Sequence, residues 1–508
     1  MPLLGSILKK GIELRGRVLP PPNKPIHLQR RVLQKLLRKS QFTMFGEHYN
    51  FREILNSRHF VKTFQQNVPI HDYNSIFSQW WNKCLHYEEN VCWPGQVKYF
   101  ALSSGTSESS SKHIPVTNDL LKSIKKTSLR QLFALTNYEL PEKNYQKGIL
   151  ALGGSTQLKN RGSYYEGDLS GITIKNIPFW FQHFYKPGKK ISKQTDWALK
   201  LEEITEMAPN WDIGAIVGVP AWLQMLLEKI IDRYQLKNIH EIWPNLSIFI
   251  HGGVSFEPYK KSFIPLLGRP LQYMETYLAS EGFIALQEHP DRGMNLVLNN
   301  GLFYEFIPFN DDNFTSDGDI KGKPQTLLIN EVKEDEDYAL LLSSNAGAWR
   351  YLIGDVIKFT DKQRCEIAIV GRTKHYLSLC GEHLSVDNMN KAIEMVSNDL
   401  NISIPEYTVA GIPYESLFAH KWFLGCDDKV QPDTLRKLLD EKLKVLNDDY
   451  RVERTSALKE VIVDVLPTSV FLEWMQERGK VGASHKFPRV MKKQKLHEWE
   501  MHIERYKK

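Results

Sequence analysis

The 508-residue chain holds only five cysteines, Cys84, Cys92, Cys365, Cys380 and Cys426, scattered and odd in number. No CxxC pair occurs, so neither a zinc site nor a disulfide framework is indicated, and a reducing, cytoplasmic compartment is expected. Long apolar runs are also missing. Nothing approaches ~18 uninterrupted apolar residues, so no membrane span is expected. The best stretch, AIVGVPAWLQMLL (215–227), is broken by Pro220 and Gln224. The N-terminal MPLLGSILKKGIELRGRVLPPP lacks the apolar core and small-residue cleavage site of a secretory signal. The phosphate-loop pattern GxxxxGK[ST] does not occur. Charge of one sign is not in large excess either: 66 Lys and Arg against 59 Asp and Glu leave +7, spread along the chain. That balance suits anionic ligands without demanding nucleic acid. The basic helix expected over 29–39 lacks aromatic interleaving, so its charges read as a solvated face and no nucleic-acid partner is expected.

What is present is enough for more than one core. Hydrophobic residues make up 42% and charged residues 25%, an ordinary globular balance. From residue 97 a rhythm sets in. VKYFALSSGT and KGILALGGST (147–156) read as strands running into polar loops. DIGAIVGVPAWLQMLLEKIIDRY (212–234) reads as strand, turn and helix, and LSIFIHGGVS (246–255) as strand into a glycine pair. Strands alternating with helices indicate an α/β fold. From 293 to 370 strands dominate, which predicts an antiparallel, barrel-like subdomain. After GRTKHYLSLCGE the pattern becomes α+β, with one long helix predicted over DTLRKLLDEKLKVLNDDY (433–450). The expected organisation is a large domain over 1–376 and a small, mobile C-terminal domain over 377–508, with the boundary near 372–382.

Four stretches carry possible chemistry. SSGTSESSSK (103–112) has seven hydroxyl side chains and ends on Lys112. A glycine-centred Ser/Thr loop after a strand can offer N–H groups and hydroxyls to phosphate; a serine-rich linker explains it equally well. METYLASEG (274–282) clusters Thr276, Tyr277, Ser280 and Glu281 at a strand end. A carboxylate there suits Mg²⁺, which shares oxygen ligands with substrate phosphates; an acidic helix N-terminus is the plainer alternative. In WRYLIGDVIKF (349–359), Asp355 follows Gly354 inside a strand, where Asp is disfavoured. Such an acid can hold ribose hydroxyls, or can mark a bulge. HGGVS (251–255) suits close ligand approach.

The order of these stretches resembles the three nucleotide-binding motifs of the Gretchen Hagen 3 family, the auxin-responsive acyl acid amido synthetases. SSGTS looks like its Ser-Ser-Gly-Thr-Ser loop, TYLASE like its Thr-Tyr-x-x-Ser-Glu loop, and WRYLIGD like its Tyr-Arg-x-x-x-Gly-Asp strand. GRTKHYLSLCGEHLS (371–385) resembles the hinge of the wider adenylate-forming superfamily. GASHKFPR (482–489) is similar to the family's C-terminal segment. The match runs from about 40 to 490, and the chain resembles bacterial members. Three departures stand out: ESSSK replaces a later loop glycine of the superfamily, Leu352 stands where plant members often carry a basic residue, and the spacing from Gly-Ala-Ser to Lys486 is shorter than in plant members.

The resemblance implies a large adenylate-forming domain and a mobile α+β domain, with ATP and Mg²⁺ as cofactors. It places Ser103, Ser104, Gly105, Thr106 and Ser107 around the ATP phosphates. Thr276, Tyr277 and Glu281 are placed at the α-phosphate, the adenine edge and Mg²⁺, and Asp355 on the ribose. Gly252 and Gly253 line the adenine slot, Phe303 flanks the nucleotide, Arg372 lies at the hinge, and Lys486 is the mobile catalytic cation. An acyl pocket is expected between 147–235 and the strands near 303, with Trp180, Phe181, Phe184 and Trp222 as candidate lining. The implied substrates are a carboxylic acid and an amine, such as an amino acid. A coenzyme A thiol as acceptor, or a non-catalytic nucleotide- or acyl-binding role, stays open.

Overall fold

The computed structural model describes residues 24–104, 111–177, 181–254, 256, 259–315, 318–374, 376–377, 379–478 and 487–506. The chain divides into two compact units, residues 1–103 with 112–373, and residues 104–111 with 374–508.

The first unit is organised by two sheets. The smaller contains β1 (Tyr99–Ser104), β2 (Ser111–Val116), β4 (Lys159–Asn160) and β5 (Tyr165–Gly167), in the order β2-β1-β5-β4. The larger has eleven strands. Its parallel half comprises β3 (Gly148–Ala151), β6 (Tyr185–Lys186), β7 (Ile213–Gly218), β8 (Ile248–Gly252) and β9 (Gln272–Ala279), in the order β9-β8-β7-β3-β6. Runs such as IGAIVG and IFIHG form these strands because both faces are covered, so near-continuous apolar sequence is stable there. One face packs on Ala134, Leu135, Tyr138 and Leu140, which cover Ala215, Ile248, Ile250 and Met274.

The antiparallel half continues from β9. It runs β10 (Gly282–Gln287), β11 (Met294–Leu296), β15 (Glu366–Arg372), β14 (Tyr351–Asp361), β13 (Asp337–Ser344) and β12 (Leu302–Pro308). The strands predicted over 293–370 are therefore continuous with the parallel sheet. This half curls strongly. β9 and β14 are separated by three strands in the hydrogen-bonded order, yet the Tyr277 hydroxyl of β9 reaches Asp355 of β14. A flat sheet would hold those strands about 19 Å apart.

The helix Pro25–Ser40 packs on this half through Gln29, Val32, Leu33, Leu36 and Leu37, leaving Arg30, Arg31, Lys35, Arg38 and Lys39 exposed. Its buried amide is fully used: Gln29 Nε2 donates to the carbonyls of Leu298 and Leu302, and Oε1 accepts from Tyr304 N. The solvated basic face read from the sequence is thus what the helix presents.

The second unit holds a two-stranded ladder of β16 (Tyr376–Leu377) and β17 (Leu384–Ser385) and a three-stranded sheet of β18 (Glu406–Tyr414), β19 (Leu417–Gly425) and β20 (Leu458–Leu466), in that order. The one long helix predicted over 433–450 is instead two, Pro432–Leu446 and Asp448–Arg454. Asn447 breaks it. Its backbone is extended, its side chain accepts from Tyr450 N at 2.8 Å, and its Nδ2 donates to His383 O and Asn388 Oδ1, both at 3.1 Å. These tertiary partners, together with the cap it forms, outweigh helix continuation. A fully buried pair, His420 Nε2 with Glu382 Oε1 at 2.9 Å, ties the 379–382 loop to β19. The Glu382 carboxylate also accepts from the amides of Leu379 and Cys380. Against the cost of burial, these partners hold Glu382 down at about 2.

Candidate functional site

The carboxyl ends of the parallel strands lie along one edge of the sheet, where ligands bind in open α/β folds. Two glycines form the end of β8 and the turn after it. A Cβ on Gly252 would stand 2.5 Å from Thr276 O and 2.6 Å from its Oγ1, so only glycine permits this approach of β8 to β9. Gly253 has φ +85°, a region that side chains disfavour. Thr276 Oγ1 donates to His251 O at 3.0 Å and fixes the same junction. Gly252→Ala is therefore expected to destabilise the protein by about 1–3 kcal/mol, read as a lower melting temperature; an unchanged melt would mean that the two strands separate freely.

METYLASEG is not at a helix N-terminus. It forms β9 and the tight turn into β10, with Gly282 paired to Ala279. Tyr277 is 7% exposed, and its hydroxyl donates to Asp355 Oδ2. Burial first, then the Asp355 charge, raises the phenol well above its usual range, so it stays protonated and donates. Arg372 Nε donates to Asp355 Oδ1 at 2.7 Å across the β14–β15 ladder, where the two are direct partners. The preceding Gly354 has φ +94°, and its carbonyl accepts from Thr373 N at 2.8 Å.

Glu281 follows in the β9–β10 turn, 7% exposed. Burial pushes its carboxyl up to about 7, helped by the Asp355 charge and opposed by Lys112 and Arg372. Lys112 also lies over the Tyr73 ring, with Nζ 5.4 Å from its centroid. Tyr277, Glu281, Asp355, Arg372 and Lys112 thus form one electrostatic cluster at the end of β9. Among the described residues no group of three His, Cys, Asp or Glu side chains could hold a metal alone. A cavity of about 420 Å³ opens nearer the start of β9, lined by His251, Phe256, Leu271, Gln272, Tyr273 and Glu275 among others, and by none of the five cluster residues. Alternation along β9 puts Tyr273 and Glu275 on the face that carries Tyr277.

The remaining sequence-predicted residues divide. Ser103 and Ser104 end β1. Gly105, Thr106, Ser107, Trp180 and Lys486 lie outside the described residues. Phe487, directly after Lys486, is buried among Phe471, Trp474 and Trp499. Phe303 is not brought to the cluster: it is fully buried, with its ring 6.3 Å from Phe64 in the main core. Trp222 packs on Trp197, ring centroids 4.8 Å apart.

Sequence reading missed Lys200. It is only 3% exposed, on the helix Trp197–Met207, and its Nζ donates to Gly153 O at 2.9 Å. The signal was available, because Lys200 falls three residues after Trp197 and four before Ile204, on the apolar stripe.

Three family models match the chain: the GH3 family N-terminal domain over residues 22–200, the central domain over 295–372 and the C-terminal domain over 387–495. Among relatives, the jasmonoyl–L-amino acid synthetase JAR6 of Nicotiana attenuata is 22% identical over 449 residues, 73% of this chain and 73% of that protein. The indole-3-acetic acid-amido synthetase GH3.4 of Arabidopsis thaliana is 24% identical over 335 residues, 60% of this chain and 54% of that protein. Among solved structures, the GH3.15 acyl acid amido synthetase aligns with a TM-score of 0.58 at 15% identity, covering 98% of this chain and 96% of that one. A 2-hydroxyisobutyryl-CoA ligase complexed with 2-HIB-AMP and CoA aligns at 0.57 and 12% identity, covering 94% of each chain. Both structures share the fold.

Proposed function

The chain belongs to the GH3 family, and on that premise we propose that it joins a carboxylic acid to an amine in two ATP-dependent half-reactions. In the first, an acid carboxylate attacks the α-phosphate of ATP; the bond to the β-phosphate breaks, leaving acyl-AMP and pyrophosphate. In the second, an amine such as that of an amino acid attacks the acyl carbon and AMP departs. The observation that carries this reading is the convergence of Tyr277, Glu281, Asp355, Arg372 and Lys112 at the carboxyl end of β9.

The residues take these parts. Asp355, already accepting from Tyr277 and Arg372, faces ribose hydroxyls. Gly252 and Gly253 line the adenine slot, Gly252 by holding β8 against β9 and Gly253 with only the Val219 side chain within 4 Å of where a Cβ would stand. Ser103, Ser104, Gly105, Thr106, Ser107, Thr276 and Lys112 attend the phosphates, where charge builds during transfer. Glu281 fits Mg²⁺: it is a single buried carboxylate poised to lose its proton, and Mg²⁺ takes one or two carboxylates and completes its shell with phosphates and water. When bound, the ion neutralises phosphate charge. Lys486 is the cation that the small domain supplies, and residues 372–382 are its pivot. Five free, buried cysteines suit a reducing, cytoplasmic setting.

The fold is equally like that of a CoA ligase, so the acceptor is the second reading to be tested. A pyrophosphate-release screen over carboxylic acids, each with amino acids or coenzyme A as acceptor, separates them. Acid-dependent release followed by AMP formation with an amino acid is the expected result. AMP formation with coenzyme A alone would replace the amine by a thiol. ATP binding in a calorimeter without turnover of any acid would leave a binding protein.

A further inference from the structure

Lys200 presents three N–H donors, and among the described residues its ammonium has one hydrogen-bond acceptor, the carbonyl of Gly153. The Asp168 charge acts on it, but no ion pair joins the two; Asp168 Oδ1 accepts from Ser170 N and Ser170 Oγ, both at 2.6 Å, as the cap of the helix Leu169–Lys175. Burial accordingly lowers the Lys200 ammonium to about 8, with only Asp168 pulling the other way. The seat itself cannot adjust. A Cβ on Gly154 would stand 2.6 Å from Asp168 Cβ, and one on Gly171 would stand 2.1 Å from Ser155 O.

A second donor beside it is also unsatisfied. Among the described residues Trp197 Nε1 is buried without a partner, and its ring centroid lies 6.0 Å from Lys200 Nζ. Buried donors without acceptors are costly, and a buried ammonium most of all. Two such groups near one another mark a place for an anionic acceptor, which no described residue supplies within ion-pair distance of Lys200. The place lies along the carboxyl ends of the parallel strands, where open α/β folds bind ligands. Gly153 follows β3, and β3 is three strands from β9 in the order β9-β8-β7-β3. At ordinary strand spacing that is about 14 Å from the end of β9, where the acid is activated. The Trp197–Trp222 pair stands beside it.

We propose that Lys200 and Trp197 bind the far end of the acid, and that the substrate is a dicarboxylate whose second carboxylate lies about three strand widths (roughly 14 Å) from the carboxyl that is adenylated. The inference rests on the adenylation reading and narrows its substrate class. A second carboxylate accepts from the free Nζ protons and the indole N–H together. A monocarboxylate of equal length leaves the indole N–H without an acceptor and the Lys200 ammonium with the Gly153 carbonyl alone.

The test uses the full-length enzyme with α,ω-dicarboxylates, chain-matched monocarboxylates and the corresponding ω-amides. Two readouts are taken: KM for the acid in ATP–pyrophosphate exchange, and calorimetric affinity without ATP. The dicarboxylate is expected to be favoured by about tenfold to a hundredfold, the range of a charged hydrogen bond. Lys200→Gln and Trp197→Phe should each collapse that preference through KM rather than kcat, while the KM for ATP is unmoved. Equal affinity for all three acid types in the wild type overturns the proposal, as does an ω-amide that matches the dicarboxylate. Since the wild-type panel needs no variant, a poorly folding substitution leaves the test intact. Selective dicarboxylate binding without exchange would instead sink the adenylation reading and keep the anion site.

Discussion

Asp355→Ala is expected to lower acid-dependent ATP–pyrophosphate exchange by roughly 10²–10³-fold, the usual cost of losing a preorganised polar group in a reacting site. In the structure this carboxylate is already oriented. Its two oxygens accept from different elements, Oδ2 from the Tyr277 hydroxyl of β9 and Oδ1 from Arg372 Nε of β15. An incoming ribose would therefore meet an acceptor that needs no reorganisation. The substitution also leaves the buried Tyr277 hydroxyl without its acceptor, which costs about 1–3 kcal/mol of stability. Asp355→Asn separates the effects: its amide oxygen can still accept from Tyr277, so most of the stability should return while the charge stays lost. Exchange at the wild-type rate in the alanine variant would remove Asp355 from the site.

Glu281→Gln is expected to abolish exchange to a similar degree, by about 10²-fold or more, and to do so while making the ligand-free protein more stable above neutral pH. The folded carboxyl titrates near 7, against an ordinary value of 4.5. Below 4.5 the group is protonated in both states and burial costs little. Between 4.5 and about 7 the unfolded chain releases its proton while the folded chain keeps it, so stability falls through that window. Above it, the folded protein carries a buried carboxylate. Glutamine has no such titration, so the variant's advantage should grow from pH 5 to pH 8, by at most a few kcal/mol. Urea denaturation at the two pH values checks this. A gap of equal size at both would mean that Glu281 titrates normally. Loss of activity joined to a gain in stability is the mark of a group held for function.

Several members of the candidate site were legible in the sequence as residues out of keeping with their surroundings. The glycine pair at 252–253 was legible as a strand-end turn suited to close ligand approach, whereas the structure sets Gly252 against Thr276 of the next strand. Asp355 stood out because aspartate after glycine within a strand contradicts local preference, and the structure joins it to Tyr277 and Arg372. Other features could not be read. Phe303 sits in sequence among strand residues of the same apolar character, and only packing against Phe64 tells a core ring from a ligand-facing one. Asn447 interrupts a pattern that is helical on both sides, and its partners His383 and Asn388 lie some sixty residues upstream.

By itself the sequence determined the alternation of strands and helices, the polar loops at strand ends and the order of the motifs, because each depends on local periodicity and on the chemistry of a few adjacent residues. Tertiary structure alone decided which of these meet. Tyr277 and Asp355 are 78 residues apart and touch only because the antiparallel half of the sheet curls. Lys200 finds Gly153, 47 residues upstream, only because its helix packs at the edge of the parallel half. Such contacts arise from the curvature of a sheet and the seating of a helix, which many side chains set together and no short stretch encodes.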